Sequence, residues 1–130
     1  MEATPTPRKT QKRAGGERRG NSKDRAARRR NLIRHWGNGS TVECAICGME
    51  LFDHPREAFA NGVGPADHVE ADKIMPHEDG PGYRMSNVYP SCRGCNSARS
   101  DRPLADFIGP EAAAAIIAHA ATYRRAARTA

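Results

Sequence analysis

The 130-residue chain contains little apolar material, and aromatic residues are especially scarce. Phe, Trp and Tyr together make up 5% of it, and all hydrophobic types together make up 38%. A core built from so few apolar residues is small, and small domains usually need a metal or a disulfide as a staple. No stretch is long and apolar enough to span a membrane. We also expect no secretory signal peptide and a cytoplasmic protein.

The charged residues are unevenly distributed along the chain. Residues 1–36 hold 12 Lys and Arg against 3 Asp and Glu, a net charge of +9, whereas the other 94 residues hold 9 against 12, a net charge of −3. A basic arm on a slightly acidic body indicates that the arm binds phosphates, and a solvated tail is the alternative. Residues 1–21, rich in Pro, Gly, Thr and basic residues, are predicted to be disordered until they meet a polyanion.

A helix is predicted over residues 23–35, with Ser22 as its N-cap. Its apolar face carries Leu32, Ile33 and Trp36, and this face is expected to pack on the rest of the domain. Arginines on the other faces are offered to phosphates, as nucleic-acid-binding residues often are. The candidates for contact with nucleic acid are Arg25, Arg28, Arg29, Arg30 and Arg34.

The four cysteines form two Cys-x2-Cys pairs, Cys44 with Cys47 and Cys92 with Cys95. A gap of two residues lets a tight turn aim both sulfurs at one metal, and structural zinc takes four ligands in a tetrahedron. Two disulfides or four unrelated thiols are the alternatives. Because the chain has neither a signal peptide nor an odd cysteine, the pattern favours a structural Zn²⁺. The segment between the pairs is long, so other structure is inserted between the two halves of the site.

A second pattern, of polar residues, overlaps the second cysteine pair. Residues 72–76 read Asp-Lys-Ile-Met-Pro, Asn87 stands fifteen residues after Asp72, and Asn96 follows the last cysteine directly. Together with the four cysteines, this spacing resembles the HNH endonuclease family, of the ββα-metal type, and in particular the small HNH proteins of actinobacterial phages. The resemblance covers about residues 20–102. The family pattern usually has His where this chain has Lys73.

The resemblance implies an α+β fold, a small zinc-stapled ββα-metal (HNH) domain with a basic N-terminal arm and helix and a C-terminal helix. Period-two alternation and turn residues give the expected positions of its elements. These are a short strand at 41–43, mostly loop at 53–65, the two strands of the ββα unit at 66–74 and 84–88, and its helix at 95–100.

Three segments follow from this interpretation. Residues 1–21 form the disordered basic arm, residues 22–108 the HNH-like zinc-bound domain, and residues 109–130 the C-terminal helix. Pro110 suits the first turn of that helix. The predicted apolar stripe of the helix consists of Ile116, Ala120 and Tyr123.

The resemblance also implies a nuclease centre. Asp72 and Asn96 would hold a catalytic Mg²⁺ or Mn²⁺, with waters and phosphate oxygens completing the coordination shell. Asn87 would orient the base or brace the loop. Lysine side chains are mostly protonated at neutral pH, so Lys73 either is activated by its surroundings to act as the base or holds the scissile phosphate. The alternative candidates for the catalytic base are His68 and His77.

Two functions stay open from the sequence. The first is a metal-dependent DNA endonuclease that hydrolyses phosphodiester bonds. By resemblance its place is phage DNA processing in the bacterial host cytoplasm, with phage DNA-processing or packaging proteins as partners. The alternative is a non-catalytic, zinc-stabilised module that binds nucleic acid and whose nuclease centre has decayed at Lys73. Retention of Asp72, Asn87 and Asn96 favours the first, whereas the weak metal affinity of an asparagine at position 96 favours the second.

Overall fold

The computed structural model of the protein describes residues 20–76 and 80–124. In these two ranges the chain forms a small α+β domain with four α-helices and two antiparallel sheets of two strands each. None of the helices in these ranges is long and apolar enough to cross a membrane. In chain order the elements are α1 (Ser22–Trp36), β1 (Val42–Glu43), β2 (Glu50–Leu51), β3 (Glu70–Lys73), β4 (Val88–Ser91), α2 (Arg93–Arg99), α3 (Leu104–Ile108) and α4 (Pro110–Ala121).

Helix α1 is one residue longer at each end than predicted, and its cap is different. The Oδ1 atom of Asn21 accepts a hydrogen bond from the backbone N–H of Asp24 at 2.8 Å. The Asp24 carboxylate in turn accepts from the backbone N–H of Asn21 at 3.2 Å. This reciprocal pair is a capping box. Ser22 is therefore the first helical residue, and the prediction that it is the N-cap is wrong.

The first sheet confirms the short strand expected before the first cysteine pair. Strands β1 and β2 pair antiparallel, with Val42 opposite Leu51 and both side chains buried. The loop that follows is mostly irregular, as expected, with one 3₁₀ turn at Arg56–Ala58. The turn that joins β1 to β2 carries the first cysteine pair, so this sheet is the base of that half of the cysteine site.

Strand β3 is shorter than the predicted 66–74. The backbone N–H of His68 donates to the carbonyl of Pro65 at 3.0 Å, which turns the chain before the strand begins. His68 instead forms an isolated parallel bridge with Phe52. The regular strand Glu70–Lys73 pairs with β4 in antiparallel register, with Glu70 opposite Ser91.

The second strand of this hairpin lies further along the chain than the predicted 84–88. Met85–Asn87 forms a 3₁₀ turn, and the strand is Val88–Ser91. The strand contains Pro90, which is tolerated because β4 has a strand neighbour on one side only. Helix α2, in contrast, begins two residues earlier than the predicted 95–100, with Cys92 as its N-cap. The strand therefore leads directly into the second cysteine pair.

The core has two parts, and Trp36 packs against both of them. One part surrounds the cysteines and includes Ile33, Leu51 and Val69. The other lies between the β3–β4 hairpin and α4, where the buried side chains of the helix pack with Tyr89. The buried residues of α4 are Ala113, Ile116 and Ala120, whereas Tyr123 lies beyond the end of the helix.

Candidate metal centre and arginine-lined groove

The four cysteines lie together, as their spacing predicted. Their Sγ atoms are all within 4.8 Å of one another, and those of Cys47 and Cys92 are 3.8 Å apart. A tetrahedral zinc with Zn–S bonds of about 2.3 Å separates its sulfurs by about 3.8 Å. All four cysteines are free thiols. This four-cysteine cluster can therefore hold a metal ion such as zinc. Elsewhere in the described ranges, no three His, Cys, Asp or Glu side chains approach closely enough to share a metal.

Backbone N–H groups point at the sulfurs of the four-cysteine cluster. Cys44 Sγ accepts from the N–H of Cys47 at 3.5 Å and from that of Cys92 at 3.4 Å, and Cys92 Sγ accepts from Cys95 at 3.4 Å. Burial acts to raise the pKa of Cys44, but the backbone donors outweigh it and lower the pKa to about 7. Burial and the neighbouring thiols raise the pKa of Cys95. Cys44 is thus the thiol best prepared to bind metal as a thiolate.

Asp72 lies in a buried network with an arginine and a tyrosine. Its carboxylate accepts a hydrogen bond from the Tyr89 hydroxyl and lies 3.4 Å from Nη1 of Arg99. Burial raises the pKa of Asp72, and the Tyr89 hydroxyl and the Arg99 guanidinium oppose that rise. Arg99 is 0% exposed and also donates to the carbonyl of Lys73 at 2.5 Å. Asp72 therefore faces a buried cation that needs a compensating partner.

Asn96, the residue predicted to share a cation with Asp72, pairs instead with Glu70. Asn96 Nδ2 donates to Oε1 of Glu70 at 2.8 Å. Glu70 and Asp72 are two residues apart on β3 and share a face, and α2 offers each of them a different donor. Asn96 contacts the first carboxylate, and Arg99, three residues further on, contacts the second. Glu70 was outside the sequence-based candidates, although its spacing from Asp72 was an available clue.

Asn87 braces the loop between β3 and β4. Its Oδ1 accepts from the backbone N–H of Met75 at 3.0 Å, and its Nδ2 donates to the carbonyls of Met75 and Gly82 at 3.2 and 2.8 Å. The side chain is buried. Of the two roles predicted for Asn87, these bonds favour bracing of the loop over orientation of a base.

Lys73 projects from the opposite face of β3 to Asp72, because side chains alternate along a strand. Its Nζ lies 4.8 Å from the ring centroid of Tyr83, and the guanidinium carbon of Arg28 lies 4.6 Å from the same centroid. The ring thus gathers one cation from the hairpin and one from α1. Lys73 thus stands on the side of the strand away from Asp72, and its two predicted roles stay predictions.

A groove of about 970 Å³ is lined by residues of α1, the loop after β2, β3 and α2. Glu70 and Asn96 lie in its wall, together with the rings of Phe59 and Tyr83. Among the described residues that line it, Glu70 is the one carboxylate, and there are five arginines. Such a lining attracts polyanions. The arginines are Arg25, Arg28, Arg29, Arg56 and Arg93.

Three of the five arginines predicted to contact nucleic acid line this groove, and two do not. Arg30 and Arg34 are exposed on α1 away from it. The prediction omitted Arg56 and Arg93, since neither belongs to the basic arm. Arg93 stands between the cysteines of the second pair, and its Nη1 donates to the carbonyl of Gly64 at 2.5 Å. This bond links the loop after β2 to α2.

Of the two histidines predicted as alternative bases, His77 lies outside the described residues. His68 is buried, and its Nδ1 accepts from the backbone N–H of His54 at 3.1 Å. In the neutral ring the proton is then on Nε2, which leaves no unprotonated nitrogen to face the groove. Burial, and then the charge of Arg29, lower the pKa of His68. This geometry disfavours His68 as the base.

The structure thus brings the four cysteines together, sets Asp72 apart from Asn96, and adds Glu70 and two arginines to the candidate site. Comparison of the chain with protein-family models, curated proteins and solved structures finds no match.

Proposed function

We propose that this protein is a metal-dependent DNA endonuclease of the HNH type. The observation that carries the proposal is the groove, in which Glu70 and Asn96 are hydrogen-bonded to each other among five arginines. The order of β3, β4 and α2, with the four-cysteine cluster at the start of the helix, supports a ββα-metal arrangement. A role in phage DNA processing stays a prediction of the family resemblance.

The arginines act on the sugar-phosphate backbone. Guanidinium groups bind phosphate oxygens in a bidentate manner and keep their charge at every physiological pH. Arg29 is held in place by an ion pair with Asp53 at 2.7 Å, and Arg28 by the ring of Tyr83. Both are therefore positioned before DNA arrives, which reduces the entropy lost on binding.

Glu70 and Asn96 are the oxygen donors for a divalent cation in this proposal. Asn96 uses its Nδ2 to fix one carboxylate oxygen of Glu70, so the two side chains that carry the proposed oxygen ligands are held in contact. Mg²⁺ and Mn²⁺ bind oxygen ligands, and Mg²⁺ often takes few protein ligands and completes its shell with water and phosphate. A cation there would neutralise charge on the scissile phosphate. Asp72 is not one of these donors, because Arg99 and Tyr89 hold its carboxylate.

Supercoiled plasmid incubated with the protein is expected to be nicked or linearised when Mg²⁺ or Mn²⁺ is present. Cleavage should stop when the divalent cation is left out of the buffer, while zinc in the four-cysteine cluster is retained. Agarose gel electrophoresis measures the result, with a zinc determination on the same sample as the control. A zinc-loaded, folded protein that leaves the plasmid intact with either cation contradicts the nuclease proposal.

A second candidate function is a non-catalytic, zinc-stabilised module that binds nucleic acid. The observation in its favour is the ion pair of Asp72 with buried Arg99, which ties up the carboxylate that the family pattern assigns to the metal. The same groove would then bind DNA without cutting it. The plasmid assay separates the two functions, since this module binds the plasmid and leaves it intact.

Both functions require the groove arginines, which gives a prediction about DNA affinity. Arg25→Ala with Arg28→Ala should weaken DNA binding by on the order of 10- to 100-fold and lower the slope of log K against log salt by about 2, because two phosphate contacts are lost. The matched control is Arg30→Ala with Arg34→Ala, which removes two exposed arginines of the same helix. Fluorescence anisotropy at several salt concentrations measures both.

Equal effects of the two double substitutions would mean that α1 attracts DNA by charge alone and not through the groove. Deletion of residues 1–19 belongs in the same experiment, because the charge distribution predicts that the basic arm and α1 supply most of the affinity. This deletion removes the charges of the arm and keeps the Asn21 cap of α1. The truncated protein retains every groove arginine. Its salt slope therefore shows how many phosphate contacts the arm makes.

A further inference from the structure

The proposed cleavage needs a group that takes a proton from water, and the sequence-based candidates among the described residues are poorly placed for it. Lys73 lies beside Arg28 at the ring of Tyr83. The neutral ring of His68 carries its proton on Nε2, because Nδ1 accepts a hydrogen bond from the backbone. The groove lining contains one other histidine, His54, which no family pattern singles out.

His54 stands on a loop whose two ends are fastened together. The backbone N–H of Phe52 donates to the carbonyl of Asp67 at 2.9 Å, and the N–H of Val69 donates to the carbonyl of Phe52 at 2.9 Å. The N–H of His54 itself donates to the ring of His68 at 3.1 Å. These bonds fix the backbone on both sides of the loop, so the His54 ring starts from a defined position at the groove wall.

The His54 ring has the arrangement that a general base requires. Its Nε2 lies 2.7 Å from Oδ1 of Asp67, and donation to that carboxylate assigns the proton of the neutral ring to Nε2. Nδ1 then carries a lone pair, and no described residue hydrogen-bonds to it. The side chain is 25% exposed, so water reaches the ring. A carboxylate that orients a histidine and stabilises its imidazolium is the arrangement found in catalytic triads.

We propose that His54, oriented by Asp67, is the general base of the groove, an inference that rests on the proposed nuclease function. In this step Nδ1 of His54 takes a proton from a water molecule, and the water oxygen forms a bond to the phosphorus of the phosphodiester. The bond from phosphorus to the leaving sugar oxygen breaks, and its electron pair stays on that oxygen. The leaving oxygen takes a proton from a second water, and the resulting hydroxide is neutralised by the proton of the His54 imidazolium.

The charged groups around His54 come from three parts of the chain. Asp67 faces it directly, His68 lies with its ring centroid 6.0 Å away, and the ion pair of Arg29 with Asp53 reaches the loop from α1. Asp67 favours the imidazolium, whereas a protonated His68 would disfavour it. The paired Arg29 and Asp53 largely cancel each other. Asp67 is therefore the charged group that acts most directly on the His54 ring.

The test compares His54→Gln and Asp67→Asn with the wild-type protein in the plasmid assay over a range of pH. Glutamine keeps a donor for Asp67 but cannot accept the proton, so His54→Gln should cleave about 10²- to 10⁴-fold more slowly. DNA affinity and melting temperature should be unchanged. Asp67→Asn should lose less activity than His54→Gln and should change the pH profile of cleavage, because the ring loses the carboxylate that orients it. Added imidazole should restore cleavage to His54→Ala, which a merely structural role would not allow.

Cleavage by His54→Gln within about threefold of the wild-type rate overturns the assignment and leaves the nuclease function standing. A loss of cleavage that is matched by a loss of DNA affinity overturns it as well. So does a large loss in His77→Gln or Lys73→Gln without one in His54→Gln. If the zinc-loaded wild-type protein cleaves no DNA at all, the nuclease function fails, and the role of His54 as its base fails with it.

Discussion

Protein purified without chelators is expected to contain one zinc ion per chain, and the Cys92→Ser protein is expected to be unfolded at room temperature. Cys92 is buried in the core around the cysteines, caps α2 and lies 3.8 Å from the sulfur of Cys47. Zinc binding to four-ligand structural sites is worth about 10–16 kcal/mol. That is at least as large as the whole stability of a typical domain, about 5–15 kcal/mol. Loss of the metal therefore outweighs the small apolar core.

Elemental analysis measures the zinc content, and circular dichroism with thermal melting measures the fold. The matched control is Ser97→Ala, a substitution of similar size at an exposed position of α2. It should leave both the zinc content and the melting temperature unchanged. Zinc-free wild-type protein with oxidised thiols, or a Cys92→Ser protein with the same spectrum and melting temperature as the wild type, would refute the structural role of the metal.

The four-cysteine cluster could be predicted from sequence because its geometry is local. Two residues between paired cysteines leave one kind of turn, and Gly48, with a φ of +81°, closes the first turn after Cys47. Glycine adopts this left-handed conformation without steric cost. Nothing in the segment between Cys47 and Cys92 needed to be known for the prediction. The same locality explains why the extent of α1 was predicted to within one residue at each end.

The strand boundaries depended on partners that the sequence does not show. The strand predicted at 84–88 begins only at Val88, because the side chain of Asn87 hydrogen-bonds back to Met75 and Gly82 and the chain turns before the strand starts. Pro90 has no N–H to donate, and β4 accommodates it because β3 is the one strand with which β4 pairs. Each error therefore reflects a tertiary contact that overrides a local preference.

The groove itself was not predictable from the motif. Its wall brings together residues from segments far apart in the chain, such as Arg28, His54 and Arg93. His54 contacts Asp67, which is thirteen residues further along the chain. The loop between them contains several Gly and Pro residues and has no regular spacing that would predict the contact. Clustered charge indicated that residues 1–36 bind nucleic acid, but it could not show that two of the arginines lining the groove stand outside that range.

The sequence pattern could not decide which of two carboxylates, Glu70 or Asp72, is available to a metal. Both project from one face of β3, and both meet α2, so spacing along the strand cannot tell which of them is available to a metal. The rotation of α2 decides it. Asn96 falls beside Glu70, and Arg99 falls beside Asp72. We therefore expect Glu70 to bind the metal, whereas the family resemblance assigns the metal to Asp72.

Glu70→Gln is expected to lower metal-dependent cleavage by about two orders of magnitude or more, whereas Asp72→Asn is expected to keep it within about threefold. Glutamine at position 70 still accepts the hydrogen bond of Asn96 but removes the negative charge that a divalent cation requires, and a catalytic metal contributes several kcal/mol. Asparagine at position 72 keeps an acceptor oxygen for Tyr89 and Arg99. Loss of the charge beside buried Arg99 should lower the melting temperature, but the protein that stays folded should still cleave.

Asp72→Ala completes the comparison, because it separates an effect on the stability of the fold from an effect on the rate of cleavage. Alanine leaves the Tyr89 hydroxyl and the buried Arg99 without this acceptor, at a cost of about 1–3 kcal/mol for each group. The melting temperature should fall markedly, while the protein that remains folded at low temperature should still cut plasmid in proportion to its folded fraction. Thermal melts and initial rates on the same samples measure both quantities. If Asp72→Asn instead loses cleavage at an unchanged melting temperature while Glu70→Gln retains it, Asp72 is the metal ligand, and the network with Arg99 must open when the cation binds.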